Sequence, residues 1–294
     1  QQLGVPNLQT FIFGGNYWST TDPATGKTED AHGPINKRKG YKPDADHPWI
    51  GEWGNEASME NARKVREAMS IAIDRSTIVD KIQSGVGFPY YTNMNSHPGD
   101  AAWKDEWKIS YNPERAKTLL AEAGYPNGFS FTTHVAPDRE WAPEVGIAVA
   151  QYWRQIGLDV EVDSTTYLTA RPQLVERSKD NPWMIHSGTG QKLHAAGVFH
   201  CCHKPTGGFS FGIEIPDEIW KIAALNNDIT KTTEEERIAN NQKIQDFFSS
   251  NFLTAPIAGL PNTAIVRPEI AEWTPYMAQT PLFNSPETIT VARR

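Results

Sequence analysis

Residues 112–162 constrain the fold more than any other stretch, because helix and strand signals alternate there without a break. Asn112-Pro113 is an N-cap followed by proline at the first helical position, where a missing N–H costs nothing. Ala116, Leu119, Leu120 and Ala123 then recur at helical spacing, and Gly124 ends the pattern. Tyr125-Pro126-Asn127-Gly128 turns the chain into Phe129, Phe131, Thr133 and Val135, every second residue of a strand. A further helix near Pro143 to Ile156 carries Val145, Ala148, Val149 and Tyr152, stops at Gly157 and hands over to Leu158, Val160 and Val162. This α-β-α-β succession predicts an α/β architecture.

The flanking segments read less uniformly. Ala62, Val65, Ala68, Met69, Ala72 and Ile73 mark one face of an earlier helix, and Ser76 is the expected cap of a second, short one over Ile78, Val79 and Ile82. Ahead of them, the first 56 residues are rich in Gly, Pro, Asn and Asp, with one strand-like run at Leu8 to Phe13 before the turn Gly14-Gly15-Asn16. Trp183 to Phe211 forms a long Gly- and His-containing stretch, a candidate binding loop. Helical character returns at Asp217 to Leu225, and Thr233 with Glu236 predicts a capping box opening a helix that ends near Phe248. From Leu253 onward six prolines, Pro256 to Pro286, predict a segment that wraps a surface rather than builds a core.

Composition narrows the function. Lys+Arg 28 against Asp+Glu 35 gives a net charge of −7, so no overall positive field exists to hold a phosphate backbone or an anionic bilayer. No window approaches the roughly 20 apolar residues of a membrane span. The start, Gln1-Gln2-Leu3-Gly4, has neither the basic nor the apolar region of a signal peptide. The two cysteines, Cys201 and Cys202, are adjacent, which rules out a long-range disulfide within one chain. In His200-Cys201-Cys202-His203 the side chains diverge, so at most two could share one ion. Ten tryptophans, more than double an average share of about 1.3 %, suggest an aromatic-lined pocket. Hydrolase, phosphate-loop and zincin patterns are missing: His186-Ser187-Gly188-Thr189-Gly190 lacks the leading glycine of a nucleophile elbow. The chain is read as a non-enzyme with no cofactor and no metal site.

Three motifs carry a resemblance. Val65-Arg66-Glu67-Ala68-Met69-Ser70-Ile71-Ala72-Ile73-Asp74-Arg75, followed by Ile78-Val79 and Gly85-Val86-Gly87-Phe88-Pro89, resembles the peptide/nickel-type family of ABC-transporter solute-binding proteins. The run from Tyr111-Asn112-Pro113-Glu114 to Gly124-Tyr125-Pro126-Asn127-Gly128-Phe129 is similar to the family's second signature, with Asn112 in place of the common Asp. Gln151-Tyr152-Trp153-Arg154-Gln155-Ile156-Gly157-Leu158-Asp159-Val160 resembles its third. The resemblance implies a periplasmic-binding-protein-like type II lobe, a mixed sheet flanked by helices, with extended N- and C-terminal arms from another lobe. It implies that the chain is the later half of a two-lobed protein: 1–56 a crossover or hinge segment and remnant of the first lobe, 57–250 the second α/β lobe, 251–294 the return segment. The other half would carry the signal sequence of a periplasmic protein or cell-surface lipoprotein.

The implied function is capture of a small peptide or other polar solute between the lobes and delivery to the transmembrane subunits of an ABC permease. Three places are expected at the cleft. They are the crossover strand end with Asn16, Tyr17 and Trp18, the loop after the first strand of the α-β-α-β unit with Arg139 and Trp141, and the strand end with Trp183 and His186. Trp141 and Trp183 would stack on a ligand face, and Arg139 or Arg171 would pair with a carboxylate. The chain departs from peptide-binding relatives in one respect: His186-Ser187-Gly188-Thr189 holds no acid to meet a ligand's free amine, which puts peptide specificity in doubt. Nickel uptake within the family keeps open the alternative of a metal- or redox-responsive binding module centred on Cys201-Cys202.

Overall fold

A computed structural model describes residues 3–17, 46–52, 55–92, 98–139, 141–176, 178–187, 212–214, 216–226, 228–262, 267–272 and 289–291. Local signals set most of the helix ends. Helix α1 (Glu56–Ile71) starts at Asn55, whose side chain accepts the Ser58 N–H. Next come α2 (Arg75–Thr77), running into a π turn over Ile78–Ile82, and α3 (Pro113–Glu122). The cap of α2 is Asp74 rather than Ser76: the Asp74 carboxylate accepts both the N–H and the hydroxyl of Thr77 at 3.0 and 2.8 Å. Ser76 lies inside the helix, past the position from which a side chain can reach back to the free N–H groups of the first turn. Asn112 caps α3 as its sequence predicts, accepting the Arg115 N–H at 3.0 Å. Then follow α4 (Ala142–Gln155), α5 (Tyr167–Val175), α6 (Asp217–Asn226) and α7 (Glu234–Asn251), the last opened by the Thr233/Glu236 capping box with both reciprocal bonds present.

The main sheet has six strands: β1 (Leu3–Phe13), β3 (Phe88–Pro89), β4 (Ser130–Val135), β5 (Asp159–Asp163), β6 (Pro182–Ser187) and β8 (Thr254–Asn262), in the order β3-β8-β1-β6-β4-β5. Short pairs join β2 (Asn16–Tyr17) to β7 (Ile213–Glu214) and β9 (Ile270–Glu272) to β10 (Thr290–Val291). Strand β1 is antiparallel to β6 and β8, whereas β4 is parallel to β5 and β6, so the sheet is mixed. Alternate side chains separate two cores. Phe11, Phe13, Phe131, Val135, Val160 and Met184 pack under α1, α3 and α4; Ile12 and Trp183 pack under α5, α6 and α7. Helices on both faces complete three layers. Trp153 anchors the first core, fully buried, its indole donating to the Met69 carbonyl at 2.8 Å and its ring meeting Phe11 edge-on at 4.9 Å.

The start of the segment from Leu253 does not wrap a surface. Leu253 to Leu260 is buried throughout, and β8 is an interior strand. Proline is tolerated there because the ladder slips: Gln9 pairs with Ala258 but Thr10 with Pro256, leaving Ile257 as a bulged residue. The Ile257 carbonyl takes the Tyr90 N–H at 3.0 Å instead. Two buried arginines lock this strand and the segment before α1 to the helical layer. Arg75 donates to the carbonyls of Pro256, Ser70 and Ile73, and Arg66 donates to those of Asn251 and Trp49. Burial pushes Arg66 down to about 9 and Arg75 down to about 10, so both remain charged at neutral pH. Their role is to saturate carbonyls that the bulge and the helix ends leave open.

Candidate functional site

Because β4, β5 and β6 are parallel, their C-terminal ends, Val135, Asp163 and Ser187, open on one edge of the sheet, where α/β folds place ligands. Three of the expected residues fall on this edge. Arg139 and Trp141 lie in the loop between β4 and α4, and His186 is the penultimate residue of β6, its backbone paired with Gln9. Arg171 is exposed on α5, one turn beyond Tyr167.

The others are not brought there. Asn16 and Tyr17 follow Phe13, which pairs with Pro182 at the start of β6, so they sit at the opposite end of the sheet, where β2 pairs with β7. Antiparallel β1 and β6 point their C-terminal ends apart, and the sequence alone does not reveal this. Trp183 is only 2 % exposed and belongs to the core beneath α5 to α7. Trp18, Cys201 and Cys202 lie outside the described residues, as does the stretch 188–211.

The edge is built from two interlocked loops. After β5, the Asp163 carboxylate accepts the N–H and hydroxyl of Thr165 at 3.0 and 2.6 Å, folding the chain toward α5. Burial acts to raise Asp163, but these two bonds together with the nearby His134 and Lys179 outweigh it and hold the carboxyl below its ordinary value. The Thr165 carbonyl contacts His134 Nε2 at 2.7 Å, which assigns the ring proton to Nε2 and leaves Nδ1 buried without a partner among the described residues. Burial accordingly pulls His134 below the usual imidazole value, and the ring stays neutral at pH 7.

After β4, the Asp138 carboxylate accepts the Tyr167 N–H at 2.9 Å and so ties this loop to the first turn of α5. Arg139 then lies over the Tyr167 ring, its guanidinium carbon 4.2 Å from the centroid. Trp141 opens α4 in the left-handed region at φ +60, a strained choice for a side chain of this size. Its carbonyl accepts the Val145 N–H, and Arg139 accepts that of Ala142, so helix initiation fixes the whole loop. Sequence reasoning did not reach Asp138 and Tyr167; Ser164-Thr165-Thr166 signals a turn before a helix but not its partner across the edge.

The result is a half-buried guanidinium held over an aromatic ring, with no carboxylate pairing it among the described residues. Such a group recognises a planar anion through two parallel N–H bonds. Among the described residues no His, Cys, Asp and Glu cluster could hold a metal ion, and no helix is long and apolar enough to cross a membrane.

Comparison with known proteins identifies the fold and the family. Oligopeptide-binding protein AppA of Bacillus subtilis is 28 % identical over 151 residues, 46 % of this chain and 26 % of that protein. Glutathione-binding protein GsiB of Escherichia coli K12 is 35 % identical over 100 residues, 34 % of this chain and 19 % of that protein. The structure of HbpA2 from Haemophilus parasuis superposes with a TM-score of 0.65 at 17 % identity, covering 100 % of this chain and 50 % of that one. The chain therefore spans about half the length of that structure, and it shares the type II periplasmic-binding-protein fold. The sequence profile of the bacterial extracellular solute-binding proteins, family 5 middle region, matches residues 32–200. With more than half of its sequence inside that profile, the chain belongs to the family 5 extracellular solute-binding proteins, a family of extracytoplasmic binding proteins rather than enzymes.

Proposed function

We propose that this chain supplies one lobe of the solute-capturing component of an ABC importer. In this reading residues 57–250 are the lobe, and 1–56 and 251–294 carry the crossings to a facing lobe, with β1 and β8 as the crossing strands. Coverage of about half of the HbpA2 structure by the whole of this chain supports it. The solute lies across the edge formed by β4, β5 and β6, and closure of the lobes is driven by its higher affinity for the closed state, which the permease then recognises. The lobe performs no covalent chemistry.

The observation that carries this reading is the Arg139 guanidinium fixed on Tyr167 with no carboxylate partner among the described residues. It selects a solute with a carboxylate. Trp141 stands two residues on at the start of α4, Arg171 one turn along α5, and His186 is the penultimate residue of β6; the missing acid in His186-Ser187-Gly188-Thr189 shifts recognition away from a free amine. AppA and GsiB are named for an oligopeptide and for glutathione, both carboxylates. The family match does not favour the metal- or redox-responsive reading of Cys201-Cys202.

A thermal-shift screen of the protein presenting both lobes tests the proposal, using glutathione, short oligopeptides and non-peptide organic acids as probes. A saturating carboxylated solute should raise Tm, since ligand at about 100 Kd adds about 2.7 kcal/mol, and Arg139→Ala should remove most of the shift. A library in which only uncharged or cationic solutes raise Tm would overturn the assignment.

A further inference from the structure

A hollow lies at the other end of the sheet from Arg139. Its volume is about 300 Å³, and Thr254 and Pro256 of β8 form its floor. Thr254 pairs with Ile12, next to the Phe13–Pro182 pair that marks the start of β6, so this hollow is separate from the edge described above.

Its walls are aromatic and braced. Trp107 and Phe248 are 3 % and 2 % exposed, and Phe252 closes the end of α7. The Trp107 indole donates to the Asp246 carboxylate at 2.9 Å, and Lys104 Nζ donates to the same carboxylate at 2.6 Å, which pins the 104–107 turn to α7. Close packing would ordinarily consume such a space; bracing keeps it open. Phe252 adds a second sign. It sits at φ 48, ψ 42, the left-handed helix-ending position where glycine fits without steric cost, yet the sequence keeps an aromatic wall there.

The mouth is polar. Lys108 and Arg115 both line it; Arg115 Nη1 donates to Glu122 at 2.7 Å, while no carboxylate among the described residues pairs with Lys108. Glu106, also at the mouth, faces Lys104 at 3.8 Å. A space of this size is at the lower end of small-molecule sites.

We propose that this hollow is a binding site for a small organic acid bearing an aromatic or branched apolar group. The apolar part stacks against Trp107, Phe248 and Phe252, and the carboxylate meets Lys108, with Arg115 adding positive charge. The site does not depend on the importer reading.

Calorimetry with phenylacetate, and with 2-phenylethylamine as the opposite charge on the same ring, tests it. Phenylacetate should bind saturably at one site and more tightly than the amine. Lys108→Glu, an exposed substitution that leaves the core untouched, should weaken phenylacetate about fivefold or more, roughly 1 kcal/mol. Ser249→Phe, which fills the hollow, should abolish binding with the urea midpoint as the folding control. No saturable binding up to about 10 mM, equal binding of acid and amine, or phenylacetate affinity unmoved by Lys108→Glu would each overturn the proposal.

Discussion

Gly128 ends the turn before β4 at φ +72, and a β-carbon on it would lie 1.9 Å from the Gly157 carbonyl oxygen and 2.7 Å from its carbon. Alanine there forces the starts of β4 and β5 apart by more than an ångström. The backbone bond from Asp159 N–H to the Phe129 carbonyl, 2.9 Å, and the Ser130 to Asp159 side-chain bond, 3.1 Å, span that gap. Losing the backbone bond costs about 1 kcal/mol, the left-handed alanine about 1–2 kcal/mol, and the displaced packing about 1–3 kcal/mol. Gly128→Ala should therefore destabilise by about 3–6 kcal/mol. Gly124 separates the contributions: it too has positive φ, +98, but its β-carbon would meet nothing within 4 Å. Gly124→Ala should cost only the conformational part, about 1–2 kcal/mol. Urea unfolding of both variants at unchanged m gives the comparison. Equal destabilisation would refute the close approach of the β4 and β5 starts.

Arg75→Met strips the Pro256, Ser70 and Ile73 carbonyls of a buried donor and should cost about 3–5 kcal/mol in urea unfolding. Thr233→Ala removes one half of the capping box and should cost about 1 kcal/mol, against less than about 0.5 kcal/mol for Ser76→Ala, which caps nothing. Lys179, 4 % exposed, is pushed down to about 8 by burial, with Asp163 and Asp180 opposing the shift. The folded state thus binds fewer protons than the unfolded one between pH 8 and 10.5, and stability rises with pH across that window by up to about 1.4 kcal/mol per pH unit. Lys179→Met should flatten this rise in urea unfolding at pH 8 and pH 10; a slope that persists would assign it elsewhere.

What the sequence discloses depends on how local each determinant is. Asn112-Pro113 and Thr233 with Glu236 act within one helical turn, so their caps are readable from spacing and are found in place. The β4–α4–β5 unit is readable for the same reason, being a run of adjacent elements. Strand β8 is not: Ala255, Ile257 and Ala258 are buried without simple alternation, and Pro256 signals an edge unless the bulge at Ile257 is known. The candidate site divides the same way. Arg139 and Trp141 sit beside a readable strand end, but strand direction separates Asn16 and Tyr17 from them by the length of the sheet, and Trp183 has the same composition signal whether it faces a ligand or a core. Asp138 and Tyr167 are twenty-nine positions apart in sequence and meet only in three dimensions.

The half-cleft account is tested most directly by titrating one carboxylated solute, whichever raises Tm in the screen above, into the two-lobed protein and into the 294-residue chain by calorimetry. A micromolar ligand is worth about −8 kcal/mol, so a lobe supplying half of the contacts retains about −4 kcal/mol, or millimolar affinity. The account predicts that roughly thousandfold loss. Micromolar binding by the 294-residue chain alone would contradict it, because the solute would then be held without a facing lobe.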